Sequence, residues 1–311
     1  MFASVPDLLR LAVLPVLGWA AWRDVETRRV PSRTWYPLVA LGVLLLVWDA
    51  LGHVSMATSA DVLFFVRVAI SLFLVAPIAY IFWLLGGFGG ADAKALITIA
   101  ILLPTFPTYY FAGFTLPSTV TTLGVFSMTV LTNTVLVGLA YPLVLFARNA
   151  LSGTVSPISF VGRRVALKDL PTTHGRLFEA PDGVTRRGLD VDALRMYLRW
   201  RGLSFAALRA DPEACRDPAS VGATNDPTGG AVDADAVDAA DWTDEPAGGD
   251  GATDAAADDP WAAERFLAEI DGSAYGTTPE TLRGGLDVLT EDGRDDVWVS
   301  PGIPFIVPMF V

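Results

Sequence analysis

Two acidic residues far apart in the chain, Asp24 and Asp92, are the strongest candidates for chemistry. Two carboxyl groups brought face to face cannot both ionise cheaply, so such a pair shares one proton. The ionised member can take a proton from water. The protonated member can polarise a carbonyl and later protonate a departing amine. An amide bond is hydrolysed in this way without a serine, a thiol or a metal. Each residue also has an ordinary reading: Asp24 as the solvated flank of a helix, and Asp92 as a helix N-cap, a position that favours Asp. Whether the two can meet depends on the elements that carry them.

Those elements are apolar helices. The chain has 311 residues, 52% of them hydrophobic, yet its net charge is −12. The two facts conflict in one uniform domain and agree if apolar and acidic parts are segregated. Residues 1–147 hold long apolar runs, and 148–297 hold most of the charge. A helix needs about 20 apolar residues to cross about 30 Å of hydrocarbon. Spans are expected at 5–23, 35–52, 61–86, 92–114 and 117–147. The apolar start is expected to stay as the first span, because it ends in charges instead of a small-residue cleavage site. A last segment, 298–311, reads as the start of a truncated or re-entrant helix. The expected fold is an all-α polytopic membrane bundle of about six transmembrane helices with a mixed cytoplasmic insert.

Orientation follows from the basic residues of the short loops. The first loop has Arg23, Arg28, Arg29 and Arg33, the third has Lys94, and the insert begins with Arg148; the second and fourth have none. This alternation puts the N-terminus outside and loops one and three, with the insert, in the cytoplasm. Asp24, ending span one, and Asp92, opening span four, then share one membrane face. Trp22, Trp35, Trp48 and Trp83 fall near span ends, as interfacial anchors or as core. Arg10 and Arg67, in or near apolar spans, are expected to snorkel or pair structurally.

Within the insert, 190–202 has helical spacing of Val191, Leu194, Tyr197 and Leu198, and Trp261, Phe266, Leu267 and Ile270 repeat the pattern. Between them, 217–259 has no lysine or arginine and few large apolar residues, so it is expected to be disordered. The insert should pack as a small domain split by that loop. Its acidity suits a solvating surface from a salt-loving source; steering of a basic ligand is the sharper alternative. With one cysteine, Cys215, and two separated histidines, His53 and His174, no metal site or cofactor is expected.

Local sequence strengthens the carboxylate reading. Asp92 ends the run Gly87-Phe88-Gly89-Gly90-Ala91-Asp92, where dense glycine offers backbone that a substrate strand can approach closely. Asp24 is followed, after five residues, by Val30 and Pro31. In these features the chain resembles the prepilin peptidases, within the GxGD membrane aspartyl proteases. Asp24, Val30 and Pro31 match one motif of that family, and Gly89, Asp92, Lys94 and Leu96 match the other. Ala91 stands where many members have a second glycine, a departure similar to the archaeal branch. The resemblance extends over the five spans and, more loosely, the insert and the turn at 301–304. It implies catalysis by Asp24 and Asp92, with Gly89, Gly90 and Lys94 supporting the motif or the substrate. The implied substrates are pilin-like and archaellin precursors, cut between a short basic leader and a hydrophobic helix at the cytoplasmic face of the plasma membrane. No nucleic acid is expected as a partner. Glu26, Arg28 and Arg29 are near enough to tune Asp24. Lys94 equally obeys the distribution of positive charge. The competing readings are a transporter or channel component and a non-catalytic membrane scaffold.

Overall fold

A computed structural model describes residues 2–27, 30–85, 87–227, 229–230, 232, 258–270, 274–302 and 305–310. The chain divides into two compact units, Met1–Tyr141 with Ile303–Val311, and Pro142–Gly302. The division falls inside a helix at a proline, a few residues before the boundary expected at 147.

The first unit is helical. Its elements are α1 (Val5–Arg10), α2 (Val13–Thr27), α3 (Trp35–Gly52), α4 (Ser59–Ile70), α5 (Ala76–Leu84), α6 (Gly90–Leu102) and most of α7 (Phe126–Leu151). Among the described residues, four stretches are long and apolar enough to cross a membrane: Val5–Thr27, Ser32–Gly52, Ser59–Leu84 and Phe126–Leu151. Leu44, Leu51, Phe73 and Leu85 stand outward from them or their ends, as lipid-facing side chains do. Of the four tryptophans read as anchors or core, Trp35 is buried and Trp22, Trp48 and Trp83 are exposed.

Two expected spans are corrected. Residues 92–114 do not form one helix: α6 stops at Leu102, and β1 (Tyr109–Phe111) and β2 (Phe114–Leu116) pair as a hairpin. Pro104 and Pro107 cannot donate the backbone bonds that would extend the helix, which mean hydropathy does not register. The fifth span accordingly starts at 126 and not at 117. The last segment is corrected too. Residues 296–300 form a strand of the second unit, and a short helix, α13, covers only Ile306–Phe310.

Sequence explains where these helices begin and bend. Thr58 caps α4, its hydroxyl accepting from the Asp61 N–H at 3.2 Å while the Asp61 carboxylate accepts from the Thr58 N–H at 3.0 Å. Between α4 and α5 the chain widens to a π-turn at Ser71–Val75. Pro77 just beyond lacks the N–H that a regular helix would use there. The Ser71 hydroxyl bonds the Ala100 carbonyl at 2.7 Å and meets Ser127 Oγ at 2.6 Å. The shared core holds Val13, Leu17, Ala20 and Ala21 of α2, Trp35, Leu38 and Leu45 of α3, Ala95, Leu96 and Ile99 of α6, and Ile306 and Met309 of α13. Small residues let backbones approach: a Cβ on Gly42 would lie 3.1 Å from Leu102 Cα.

The second unit is a separate α+β domain. Strands β3 (Arg163–Ala166), β4 (Arg176–Leu177) and β7 (Asp296–Ser300) form an antiparallel sheet in the order β3-β7-β4. Val165 lies opposite Val297 and Leu177 opposite Val299, and β5 (Glu179–Ala180) pairs with β6 (Gly183–Val184). The helices are α8 (Val191–Arg201), α9 (Phe205–Ala210), α10 (Pro212–Arg216), α11 (Ala263–Glu269) and α12 (Pro279–Leu289). Tyr197, Trp200, Trp261 and Phe266 fill the core, so residues on both sides of the acidic loop join one cluster. Of that loop, 217–227 is described and includes a short turn at Pro218–Ser220; 233–257 lies outside the described residues. The α8 start is capped by Asp190 and its end by Gly202, which adopts φ 65°.

Candidate active site

The buried face of α2 runs Val13, Leu17, Ala20, Ala21, Asp24. These are helical steps of three and four, so Asp24 is the polar end of an otherwise apolar stripe. The buried face of α6 starts with Asp92 and continues through Ala95, Leu96 and Ile99. Both stripes enter one core, and both carboxylates are buried, Asp24 at 7% exposure and Asp92 at 5%. A solvated flank, the ordinary reading of Asp24, would be exposed.

Two pins put these residues at the same end of the helices. At one end Arg10 Nε, at the close of α1 and just ahead of α2, donates to the Leu102 carbonyl at 3.0 Å, tying the approach to α2 to the finish of α6. Asp24 follows Arg10 by 14 positions and Asp92 precedes Leu102 by 10, which are roughly 21 and 15 Å of helix. Both therefore lie away from the pin, within about one to two helical turns of each other along the axis. At their end, Lys94 Nζ donates to Ser32 Oγ at 2.6 Å, joining the start of α6 to the segment just after Pro31. The two sequence motifs are thus fastened to each other by Lys94, an exposed side chain with a structural partner.

Asp92 has a defined setting. Its Oδ2 accepts the Gly89 N–H at 3.0 Å, the reach-back bond of a helix start, and its Oδ1 accepts the Ile306 N–H at 3.0 Å. Helix α13, which supplies Ile306, packs on both α2 and α6. The helix-start reading of Asp92 is therefore correct as far as it goes, and it is compatible with chemistry because the bond to Ile306 comes from a different element.

Gly89 also has a steric reason of its own. Gly89 has φ −65°, open to any residue, but a Cβ there would lie 2.9 Å from Asp92 Oδ2. Its absence of a side chain makes room for the carboxylate. Gly90 is different: the nearest neighbour of an added Cβ is Trp83 Nε1 at 3.6 Å, an ordinary contact. Gly87 packs against Phe82. Phe88 is buried beside Phe305, ring centroids 4.9 Å apart.

Other expectations sort themselves. Glu26 is exposed and off the Asp24 face, and Arg28 and Arg29 lie outside the described residues. Arg10 pairs with Asp7 at 2.7 Å and with Asp49, and Arg67 Nε donates to the Leu123 carbonyl at 2.9 Å, so both serve structure. Sequence reasoning missed Ser32 and the Ile306 amide. Ser32 directly follows the aliphatic-proline motif, a signal that was available. A backbone amide leaves no trace in residue types.

Comparison with known proteins bears on the same segment. Residues 11–143 match the type IV leader peptidase family. The chain is 30% identical over 148 residues to prepilin peptidase EppA of Methanothermobacter thermautotrophicus, an alignment covering 46% of this chain and 36% of that protein. The chain thus matches little more than a third of the length of that curated relative. No solved structure matches it.

Proposed function

We propose, from the membership of the membrane segment, residues 11–143, in the type IV leader peptidase family, that the chain is a membrane aspartyl endopeptidase acting on pilin-like precursors. The observation that carries the reading is the burial of Asp24 and Asp92 at one end of two helices that share a core. Buried carboxylates are disfavoured unless they are paired or functional. Two such groups at one end of an apolar bundle support a shared-proton pair.

In this mechanism the ionised carboxylate of the pair takes a proton from water as the water oxygen bonds to the scissile carbonyl carbon. The protonated carboxylate hydrogen-bonds the carbonyl oxygen and then protonates the amine as the C–N bond breaks. Because the pair titrates jointly, the acid and base roles belong to the pair and not to either residue. Lys94 and Gly89 act through position: Lys94 by holding Ser32, and Gly89 by leaving space for the Asp92 carboxylate.

The substrate class we assign is a precursor with a short basic leader ahead of a hydrophobic helix, archaellins included. The basic loops, Arg23 to Arg33 and Lys94, put the carboxylate end at the cytoplasmic face under the positive-inside rule. The acidic loop then serves as solvating surface in a salt-rich cell.

The test is cleavage of such a precursor by the full chain in membranes. Asp24→Asn and Asp92→Asn keep size and hydrogen bonding but cannot cycle a proton. Each is expected to lower the rate by at least about a thousandfold, as for loss of a residue central to bond cleavage, while the protein stays folded and inserted. Undiminished cleavage by either variant overturns the assignment.

A further inference from the structure

Trp35 is 2% exposed, yet its indole N–H meets no acceptor among the described residues. The equally buried indoles of the second unit are both satisfied. Trp200 Nε1 donates to Glu269 Oε2 at 2.8 Å and Trp261 Nε1 to Asp287 Oδ1 at 2.9 Å. A buried donor left unmet is disfavoured and uncommon in native folds, so it calls for a specific cause.

Its position suggests the cause. Helices α3 and α6 run side by side in the same direction, with Ser32 beside Lys94 at one end and Gly42 against Leu102 at the other. Counting seven residues back from both Gly42 and Leu102 sets Trp35 level with Ala95. That is three residues, about 4.5 Å and just under one helical turn, inside the bundle from Asp92. Trp35 also shares its core with Ala20 and Ala21, the turn of α2 that leads to Asp24. Trp35 therefore stands on α3 within about one turn of the level of Asp92 and in the same core as the turn that leads to Asp24.

We infer that the Trp35 indole N–H is a substrate-binding donor, reserved for a backbone carbonyl of the peptide held beside Asp24 and Asp92. A peptide fits better than a bound water. Water needs two to four polar partners at once. A peptide carbonyl needs only this donor, because the rest of the chain is held elsewhere. The inference rests on the proteolytic reading and adds a residue to it that neither sequence motif contains.

The test replaces Trp35 with β-(3-benzothienyl)alanine, which keeps the ring shape and puts sulfur where the N–H was. Trp35→Phe is the encoded companion. Cleavage of the basic-leader precursor by the isostere protein is expected to slow about tenfold or more, the loss usual for one donor acting on a reacting carbonyl or its neighbour. Its melting temperature should be unchanged or higher, because the fold loses no hydrogen bond. In the inactive Asp24→Asn protein labelled with 15N-tryptophan, bound precursor should move the Trp35 indole proton downfield. If the wild type cuts and the isostere cuts equally fast, or the indole resonance stays in place when precursor binds, the assignment of Trp35 is overturned and the protease reading stands. If the wild type leaves the precursor intact, the protease reading falls and takes this inference with it.

Discussion

The two units use apolar residues differently. In the first, Leu44, Leu51, Phe73 and Leu85 point outward, and the interior sets small residues, Ala20, Gly42, Ala95 and Ala100, and polar ones, Arg10, Asp24, Ser71 and Asp92, among Leu17, Trp35, Leu96 and Ile99. In the second, Trp200, Trp261, Phe266 and Leu282 are inside and the charges are mostly on the surface. Lipid is as apolar as leucine, so helices in it gain little by hiding large side chains from their surroundings. They associate through close backbone packing and polar contacts. A domain in water is held by aromatic and aliphatic burial. Hydrophobicity therefore marks both an outer surface and a core in the first half, and chiefly a core in the second, so in the first half the few buried polar residues are the more telling ones.

The contrast can be broken most forcefully by exchanging the type of insult. Phe266→Ala, in the aromatic core, is expected to destabilise the second unit by about 3–5 kcal/mol. Arg10→Met is expected to destabilise the first by a similar ~3–5 kcal/mol, because Asp7, Asp49 and the Leu102 carbonyl lose their common donor. Hydrogen exchange resolved by segment should report each loss in its own unit. If Arg10→Met leaves protection of α6 unchanged, polar pinning is not what organises the helices.

A smaller effect tests electrostatics in the second unit. Burial, followed by the nearby Asp192 carboxylate, pushes Asp190 up to about 6, although Arg176 and the Asp192 N–H oppose the shift. A carboxylate raised on folding stabilises the protein below its unfolded value, and that contribution disappears as pH rises through the folded one. The wild-type unit should thus lose on the order of 3 kcal/mol between pH 4 and 6 through this group. Asp190→Asn keeps the helix cap and should remove the dependence, so chemical-denaturation curves of the two proteins should diverge across that window. Parallel curves would show that Asp190 is ionised at little penalty.

The glycine motif gives a finer comparison within the first unit. Gly89→Ala crowds Asp92 Oδ2 and should slow cleavage by about tenfold to a hundredfold, as misplacement of a reacting group does. Gly90→Ala has room and should stay within about threefold of wild type, an ordinary surface effect. Equal losses at both positions would return the requirement to backbone freedom. The mildest change, Lys94→Gln, loses an exposed tie to Ser32, whose stabilising effect is no more than about 1 kcal/mol, and its effect should be confined to rate.

Much of this was legible in the residues. The long apolar runs marked four helices, and helical spacing marked α8 and the Trp261–Ile270 region. Asp24 and Asp92 stood out because their types and neighbours agreed. What escaped had a physical reason. Hydropathy carried the fourth span across Pro104 and Pro107, although proline stops a helix whatever its neighbours. Trp298 to Ser300 was read with the apolar tail, although the alternation of buried Val297 and Val299 is that of a strand. The Lys94–Ser32 contact and the Ile306 amide depend on tertiary structure, so spacing could not reveal them. Gly89 was noticed for its flexibility, yet its role is the space beside a carboxylate.

The junction at Arg10 works like the rivet of a pair of tongs. From that point α2 and α6 extend to tips that bear Asp24 and Asp92, each tip roughly 15–20 Å away. A swing of about 5° at the rivet moves a tip by over ~1 Å, and an error of that size is worth about a hundredfold in rate. Arg10 thus fixes the far ends of the two helices, while the Lys94–Ser32 bond and the Ile306 amide hold the ends that carry the acids.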